Sequence, residues 1–99
     1  MKYGLRSTVQ YDKWFAKLKD HTVRLNILAR LARAENGNFG DSRQLDENLF
    51  ELRFFFGGGL RVYYTIRENA VVLLLAGGDK TTQARDIAKA ARQLHELEE

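Results

Sequence analysis

Three cationic side chains, Arg53, Arg61 and Lys80, sit where strand geometry can bring them together. Arg53 closes the run Phe50-Glu51-Leu52-Arg53, Arg61 opens Arg61-Val62-Tyr63-Tyr64, and Lys80 follows Gly77-Gly78-Asp79. Successive residues of a strand point to opposite faces. If Gly57-Gly58-Gly59 makes a hairpin turn, Phe56 pairs with Leu60, Phe55 with Arg61 and Arg53 with Tyr63. One face then carries Phe50, Leu52, Phe54, Val62, Tyr64 and Ile66, an apolar set that belongs under helices. The other carries Glu51, Arg53, Phe55, Arg61, Tyr63 and Thr65. Guanidinium groups pair with phosphate oxygens, and exposed rings stack on splayed bases for about 1–3 kcal/mol per base. If exposed, the second face suits nucleic acid, with Phe55 and Tyr63 as the candidate stacking rings, the RNA-binding pair of this reading. The plainer reading is cross-strand Arg–Glu pairing with Phe55 tucked under a loop.

Other chemistries find little support. His21 and His95 fall outside this cluster, and a lone histidine near a helix end is usually a cap or a solvated side chain. With no cysteine and scattered histidines, no metal site and no cofactor are expected. The three glycines lack the Gly-Lys-Ser/Thr ending of a phosphate loop. Asp79 reads as a turn residue beside Lys80.

The elements that must hold the cluster follow from periodicity. Residues 2–6 read as an edge strand, and Ser7 or Thr8 can cap a first helix. Tyr11, Trp14, Phe15 and Leu18 form one apolar stripe. Asp20 breaks and restarts the helix. Val23, Ile27, Leu31 and Ala34 then share a face, widened by Leu28, with Arg24, Arg30 and Arg33 on the solvent side. Asn36-Gly37 stops the second helix. A polar loop spans 37–48, with a strand turn near Gln44-Leu45. Strands at 49–56 and 60–67 flank the glycines, and Glu68-Asn69-Ala70 makes a tight turn. The continuous apolar run 71–76 reads as a strand buried on both faces, ended by Gly77-Gly78. Thr81 or Thr82 caps a last helix that packs through Ala84, Ile87, Ala88, Ala91 and Leu94. The fold class is α+β: two N-terminal helices on a small, twisted, mostly antiparallel sheet, plus a C-terminal helix.

The 99 residues suffice for one core, giving one domain over 1–99. Apolar residues make up 44%, enough to fold. The net charge of +3 understates the basic body: without Glu96, Glu98 and Glu99, 16 basic side chains face 10 acidic ones. Nucleic acid, ribosome or an acidic protein are the partners this implies. No apolar run approaches the roughly 20 residues of a membrane span, and Met1 through Arg6 lacks a secretion signal's apolar stretch. The absence of cysteine fits a cytoplasmic location.

Three blocks in fixed order carry a resemblance: Gly37-Asn38-Phe39-Gly40-Asp41, Phe50 through Tyr64, and Leu73 through Ile87. Over nearly the whole chain they resemble the RelE/ParE-type toxins of bacterial type II toxin–antitoxin modules, especially the addiction-module killer (HigB-like) branch. Relatives often carry a proline between the turn glycines, which this chain lacks. The resemblance implies a ribosome-dependent endoribonuclease (mRNA interferase) that inhibits translation. It places catalysis on Arg53, Arg61 and Lys80. Its implied partners are a cognate antitoxin of helix-turn-helix type, the ribosome and mRNA, with operator DNA reached only through the antitoxin complex. The alternatives are a ParE-like DNA gyrase inhibitor without RNase activity, or a degenerate toxin kept as an antitoxin-binding module. The C-terminal helix either simply covers the sheet, the preferred reading, or is displaced when antitoxin binds.

Overall fold

In a computed structural model, residues 2–98 are described; Met1 and Glu99, the last of the terminal acids, lie outside the described residues. Strand β1 (Gly4–Ser7) leads into helix α1 (Val9–Ala16). Thr8 caps α1: its Oγ1 accepts from the Tyr11 amide at 3.2 Å and donates to the Leu75 carbonyl at 2.9 Å. One hydroxyl thus starts the helix and fastens it to the sheet. Asp20 restarts the chain as expected, accepting from the amides of Thr22 and Val23 ahead of α2 (His21–Glu35). Gly37, at φ 88°, turns the chain out of α2. Leu28 does not widen the buried stripe; it is 49% exposed, while Ile27, Leu31 and Ala34 are buried.

Strands β2 (Ser42–Asp46), β3 (Leu49–Arg53), β4 (Arg61–Arg67) and β5 (Val71–Gly78) complete a sheet of order β1-β5-β4-β3-β2. Only the β1–β5 pair is parallel, so the sheet is mostly antiparallel. Glu68 and Asn69 both take positive φ in the β4–β5 turn, the conformation that suits the right-handed strand twist.

The central hairpin differs from its expected register. Arg53 faces Arg61 and Glu51 faces Tyr63, a shift of two residues. Gly57, Gly58 and Gly59 all have positive φ, and the Phe56 carbonyl accepts from the amides of Gly59 and Leu60. That local coil shortens both strands to Arg53 and Arg61, with the Phe54 amide still donating to the Leu60 carbonyl at 2.9 Å. Because the shift is even, each side chain keeps its expected face. Leu52, Val62, Tyr64, Val72 and Leu74 pack with Tyr11, Ile27 and Leu31 beneath α1 and α2.

The opposite face, which nucleic-acid binding needs exposed, is largely covered, with Arg53 and Phe55 left accessible at its end. Helix α3 (Gln83–Leu97) covers it, burying Glu51, Arg61, Tyr63 and Thr65. Leu49, Leu75 and Ala90 form the apolar part of that interface, with Ile87 and Leu94 packed against them. Ala84, Ala88 and Ala91 of the expected packing stripe point to solvent, and Asp86 and Ala90 are buried instead. The surface beneath α3 is partly polar, so the helix buries polar residues that can partner it. Thr82 holds the N-cap position of α3 without a side-chain cap bond to it, and Asp79 supplies the capping carboxylate one turn earlier, with the Thr82 hydroxyl accepting back from the Asp79 amide. Asp79 Oδ1 accepts from the amides of Thr81 and Thr82 ahead of a short 3-10 turn (Lys80–Thr82). β5 runs two residues past the apolar stretch 71–76 and ends at Gly77 and Gly78, which are paired within it. A Cβ on Gly77 would strike the Trp14 ring, and one on Gly78 the Asp86 carboxylate.

Arg30 leaves its expected solvent side. Its guanidinium donates to the carbonyls of Phe39, Arg53 and Asp41 at 3.2, 3.0 and 2.8 Å and lies 4.9 Å over the Phe54 ring. A Cβ on Gly40, at φ 65°, would come within 2.8 Å of Arg30 Nε. The Gly37–Asp41 block is thus shaped around one arginine that clamps the end of β3.

Candidate functional site

Glu51 is the centre of the basic cluster. Its side chain is fully buried, with Arg61 Nε 3.6 Å from Oε2 and Arg53 Nε 3.9 Å from Oε1. From α3, Gln83 Nε2 donates to Oε2 at 2.9 Å. Both ion pairs are longer than a hydrogen bond. Among the described residues, Glu51 Oε1, Arg61 Nε and the Tyr63 hydroxyl are buried without a hydrogen-bond partner. Such atoms are costly to leave unpaired, and three lie in one cluster.

The chain brings the three expected cations together. Arg53 and Arg61 are direct cross-strand neighbours. Arg61 is also tied by Nη1 to the Gly59 carbonyl at 2.7 Å. Lys80 is exposed on the 3-10 turn, and its amide donates to the Gly58 carbonyl at 3.2 Å. A Cβ on Gly59 would sit 3.2 Å from Arg61 Nη1 and 3.3 Å from Lys80 Cβ, so that glycine lies between the two cations. Access differs sharply: the Arg53 side chain is 41% exposed and that of Arg61 10%.

The two aromatic residues separate. Phe55 is 92% exposed on the glycine loop, an open stacking surface rather than a ring tucked under a loop. Tyr63 is wholly buried beneath α3 and offers no face to a base in this conformation. Burial first, then the Glu51 and Asp86 carboxylates, push its hydroxyl far above the usual tyrosine value, so it stays protonated. The cross-strand Arg–Glu contact of the plainer reading is also present, through Glu51.

Several members of this site escaped the sequence reading. Gln83 and Asp86 lie three residues apart on α3, and that polar spacing was the available signal. Asp86 is buried, and its carboxylate accepts from the Thr82 hydroxyl. Arg43, exposed on β2 directly opposite Glu51, extends the basic face by one strand. Its signal was the alternation of the polar stretch 42–46.

Comparison with known proteins places this geometry. The model of the phage-derived Gp49-like family (DUF891) matches residues 13–95. The chain belongs to the Gp49-like family. An uncharacterized protein of Haemophilus influenzae is 40% identical over 97 residues, 98% of each chain. Among solved structures, a free-state double mutant of the E. coli toxin RelE superposes with a TM-score of 0.75 at 20% identity, over 94% of this chain and 98% of that one. The toxin–antitoxin complexes RelBE of E. coli and RelBE2 of Mycobacterium tuberculosis also match. Each has a TM-score of 0.65, at 21% and 16% identity, over 78% and 81% of this chain and 95% and 100% of the matched chains. The Gp49-like chain therefore has the RelE fold, as its sequence blocks implied. No helix among its described residues is long and apolar enough to cross a membrane.

Proposed function

We propose that this chain is the toxin of a toxin–antitoxin pair, of the HigB-like branch, and that it cleaves messenger RNA on the ribosome. The observation that carries this is the placement of Arg53, Arg61 and Lys80 around Gly59, at the rim of a sheet shared with RelE. Two of the matching folds are held in complexes with antitoxins, which supports a cognate antitoxin as partner. The remaining parts of the proposal are a single toxin domain over 1–99, a cytoplasmic location, and a helix-turn-helix antitoxin that carries the complex to operator DNA.

In the reaction, the ribose 2′-OH attacks the adjacent phosphorus and loses its proton to a base. The bond to the 5′ oxygen of the next nucleotide breaks, and that oxygen takes up a proton. The products are a 2′,3′-cyclic phosphate and a 5′-OH. Arg53 and Arg61 stay charged and offer planar forks to the developing phosphorane. Lys80 supplies a third cation from the opposite side of the loop. Phe55 stacks on a neighbouring base. The ribosome holds the strand in the attacking geometry, so naked RNA is a poor substrate.

The test is to map messenger 5′ ends after brief induction in cells lacking antitoxin. Wild type is expected to give new in-frame cuts. Arg61→Ala is expected to lose them by roughly 100- to 1,000-fold, the usual cost of one preorganised charge-stabilising group. Undiminished cuts with folded Arg61→Ala would remove Arg61 from the site.

The burial of Arg61 and Tyr63 favours a second reading. With α3 in place, Phe55, Lys80 and Arg43 stay exposed and Arg53 partly so, a surface that also suits protein docking. A ParE-like inhibitor of DNA gyrase would use them without cutting RNA. Growth arrest with trapped gyrase cleavage complexes and intact messenger would establish that reading.

A further inference from the structure

Strand β5 outruns its parallel neighbour. β1 pairs only with Val71–Leu74, so beyond Leu74 no described strand flanks that edge of β5. A groove of about 550 Å³ opens there between α1 and α3, lined by Trp14 and by Gly77. Lys13 of α1 and its C-cap residue Lys17 line one wall, and Arg85 and Lys89 of α3 the other.

Each pair is four residues apart, about 5–6 Å between Cβ atoms on one helix face. Like charges at that spacing repel; the C-terminal dipole of α1 offsets part of this for Lys13 and Lys17, whereas Arg85 and Lys89 bear it on α3. Nothing inside the chain offsets it fully. Among the described residues, Lys13, Lys17 and Lys89 form no ion pair, and Arg85 reaches Asp86 only at 4.0 Å. The groove's own carboxylates are engaged elsewhere: Asp79 caps the 3-10 turn and Asp86 accepts from Thr82. Two rows of basic side chains, three of the four without an ion pair, beside the Trp14 ring suit a flexible polyanion with stacking groups.

The groove also reaches the candidate site. It ends at Gly57 and Asp79, in the glycine loop and next to Lys80. We propose that it is a second binding track, holding the phosphodiester backbone of single-stranded RNA as the strand leaves the Arg53–Arg61–Lys80 cluster. The inference rests on the RNA-cleaving reading and names the strand's path. An acidic segment of a protein partner is the competing occupant. Continuity with the cluster favours RNA, because a strand held at Lys80 must continue along some neighbouring surface.

The probe is a short fluorescein-labelled single-stranded RNA, 2′-O-methylated so that it cannot be cleaved, with binding followed by anisotropy across a salt series. The variant Lys13→Gln/Lys17→Gln/Arg85→Gln/Lys89→Gln is expected to bind at least about tenfold more weakly. Its slope of log affinity against log salt should shrink by about 0.7 for each phosphate that is no longer neutralised, nearly 3 in all. Lys19→Gln/Arg33→Gln, exposed and outside the groove, should match wild type. Lys13→Arg/Lys17→Arg/Lys89→Arg should retain binding, which separates charge from folding. Unchanged affinity and slope in the fourfold variant would overturn the track. So would normal RNA binding combined with failure to co-purify the antitoxin, which would make the groove a protein-docking surface. Messenger cleavage is read separately, through 5′ ends and Arg61→Ala, so either reading can fail alone.

Discussion

On the α1/α2 side the sheet is closed by Ile27, Leu31, Leu52 and Val62, whereas on the α3 side Glu51, Arg61, Thr65 and Asp86 share the interface with Leu75 and Ala90. Exposure does not distinguish them, since Leu52 and Glu51 are adjacent and both are essentially inaccessible. Polar satisfaction does. Among the described residues, the first side strands one side-chain polar atom, the Tyr11 hydroxyl, and the second strands three. Burying about 1.5–3 kcal/mol of transfer free energy per large apolar side chain makes the first interface a matter of volume. The second depends on partnership between the sheet's polar groups and those of α3. The difference assigns a scaffold role to one face and leaves the other suited to chemistry.

The largest expected effect sharpens this contrast at neighbouring positions. Leu52→Ala should cost about 2–5 kcal/mol through a cavity. Glu51→Ala should cost about 3–5 kcal/mol by leaving Arg61 buried without its counter-charge. Denaturant titration cannot tell them apart singly, but rescue can. Glu51→Leu with Arg61→Met should recover most of the stability, because an apolar replacement of a buried ion pair is often neutral or better. That double variant should also lose cleavage. Leu52→Ala has no such rescue from Arg61→Met. If both losses respond alike, the two faces are not different in kind.

A smaller effect compares the paired glycines. Gly77 touches the α1 side through Trp14, and Gly78 the α3 side through Asp86. Each alanine substitution overpacks a tight contact and should cost about 1–3 kcal/mol. Hydrogen exchange should place the damage differently: Gly77→Ala loosens α1, and Gly78→Ala loosens α3. Equal loosening of both helices in both variants would mean that the end of β5 yields as one unit.

The same contrast governs what the sequence made legible. The dry face could be read from period-2 and period-3.6 spacing of apolar residues, and the hairpin's faces survived a register error because Gly57–Gly59 shifted pairing by an even number. The α3 face was legible only in part, through Ile87 and Leu94. Apolar periodicity selected Ala84, Ala88 and Ala91, while the buried side of the helix is defined by what Glu51 and the end of β5 require. Arg30 misled for a similar reason: its partners are backbone carbonyls of residues 39, 41 and 53, which no side-chain pattern announces. For the candidate site, strand parity put Arg53 and Arg61 on one face. The glycine that seats Lys80 beside them became visible only in three dimensions.

The smallest expected effect lies at the hinge between the two regions, where Asp79 joins β5 to α3. The Thr81 side chain first, and then the amides of Thr81 and Thr82, hold its carboxyl below its ordinary 3.8. A depressed folded-state pKa contributes stability that is fully present above the ordinary value and is lost as pH falls through the folded one. Asp79→Asn keeps a cap acceptor but cannot titrate. Wild type should therefore melt slightly higher than Asp79→Asn at neutral pH. The gap should hold as pH falls to about 4, and close below that. Asp79→Ala, which removes the cap, should cost about 1 kcal/mol at neutral pH. If α3 is the separable element, that loss should raise hydrogen exchange in α3 while leaving α2 unchanged. Equal increases in both helices would show that the sheet's two sides open together, and the comparison between them would then describe composition alone.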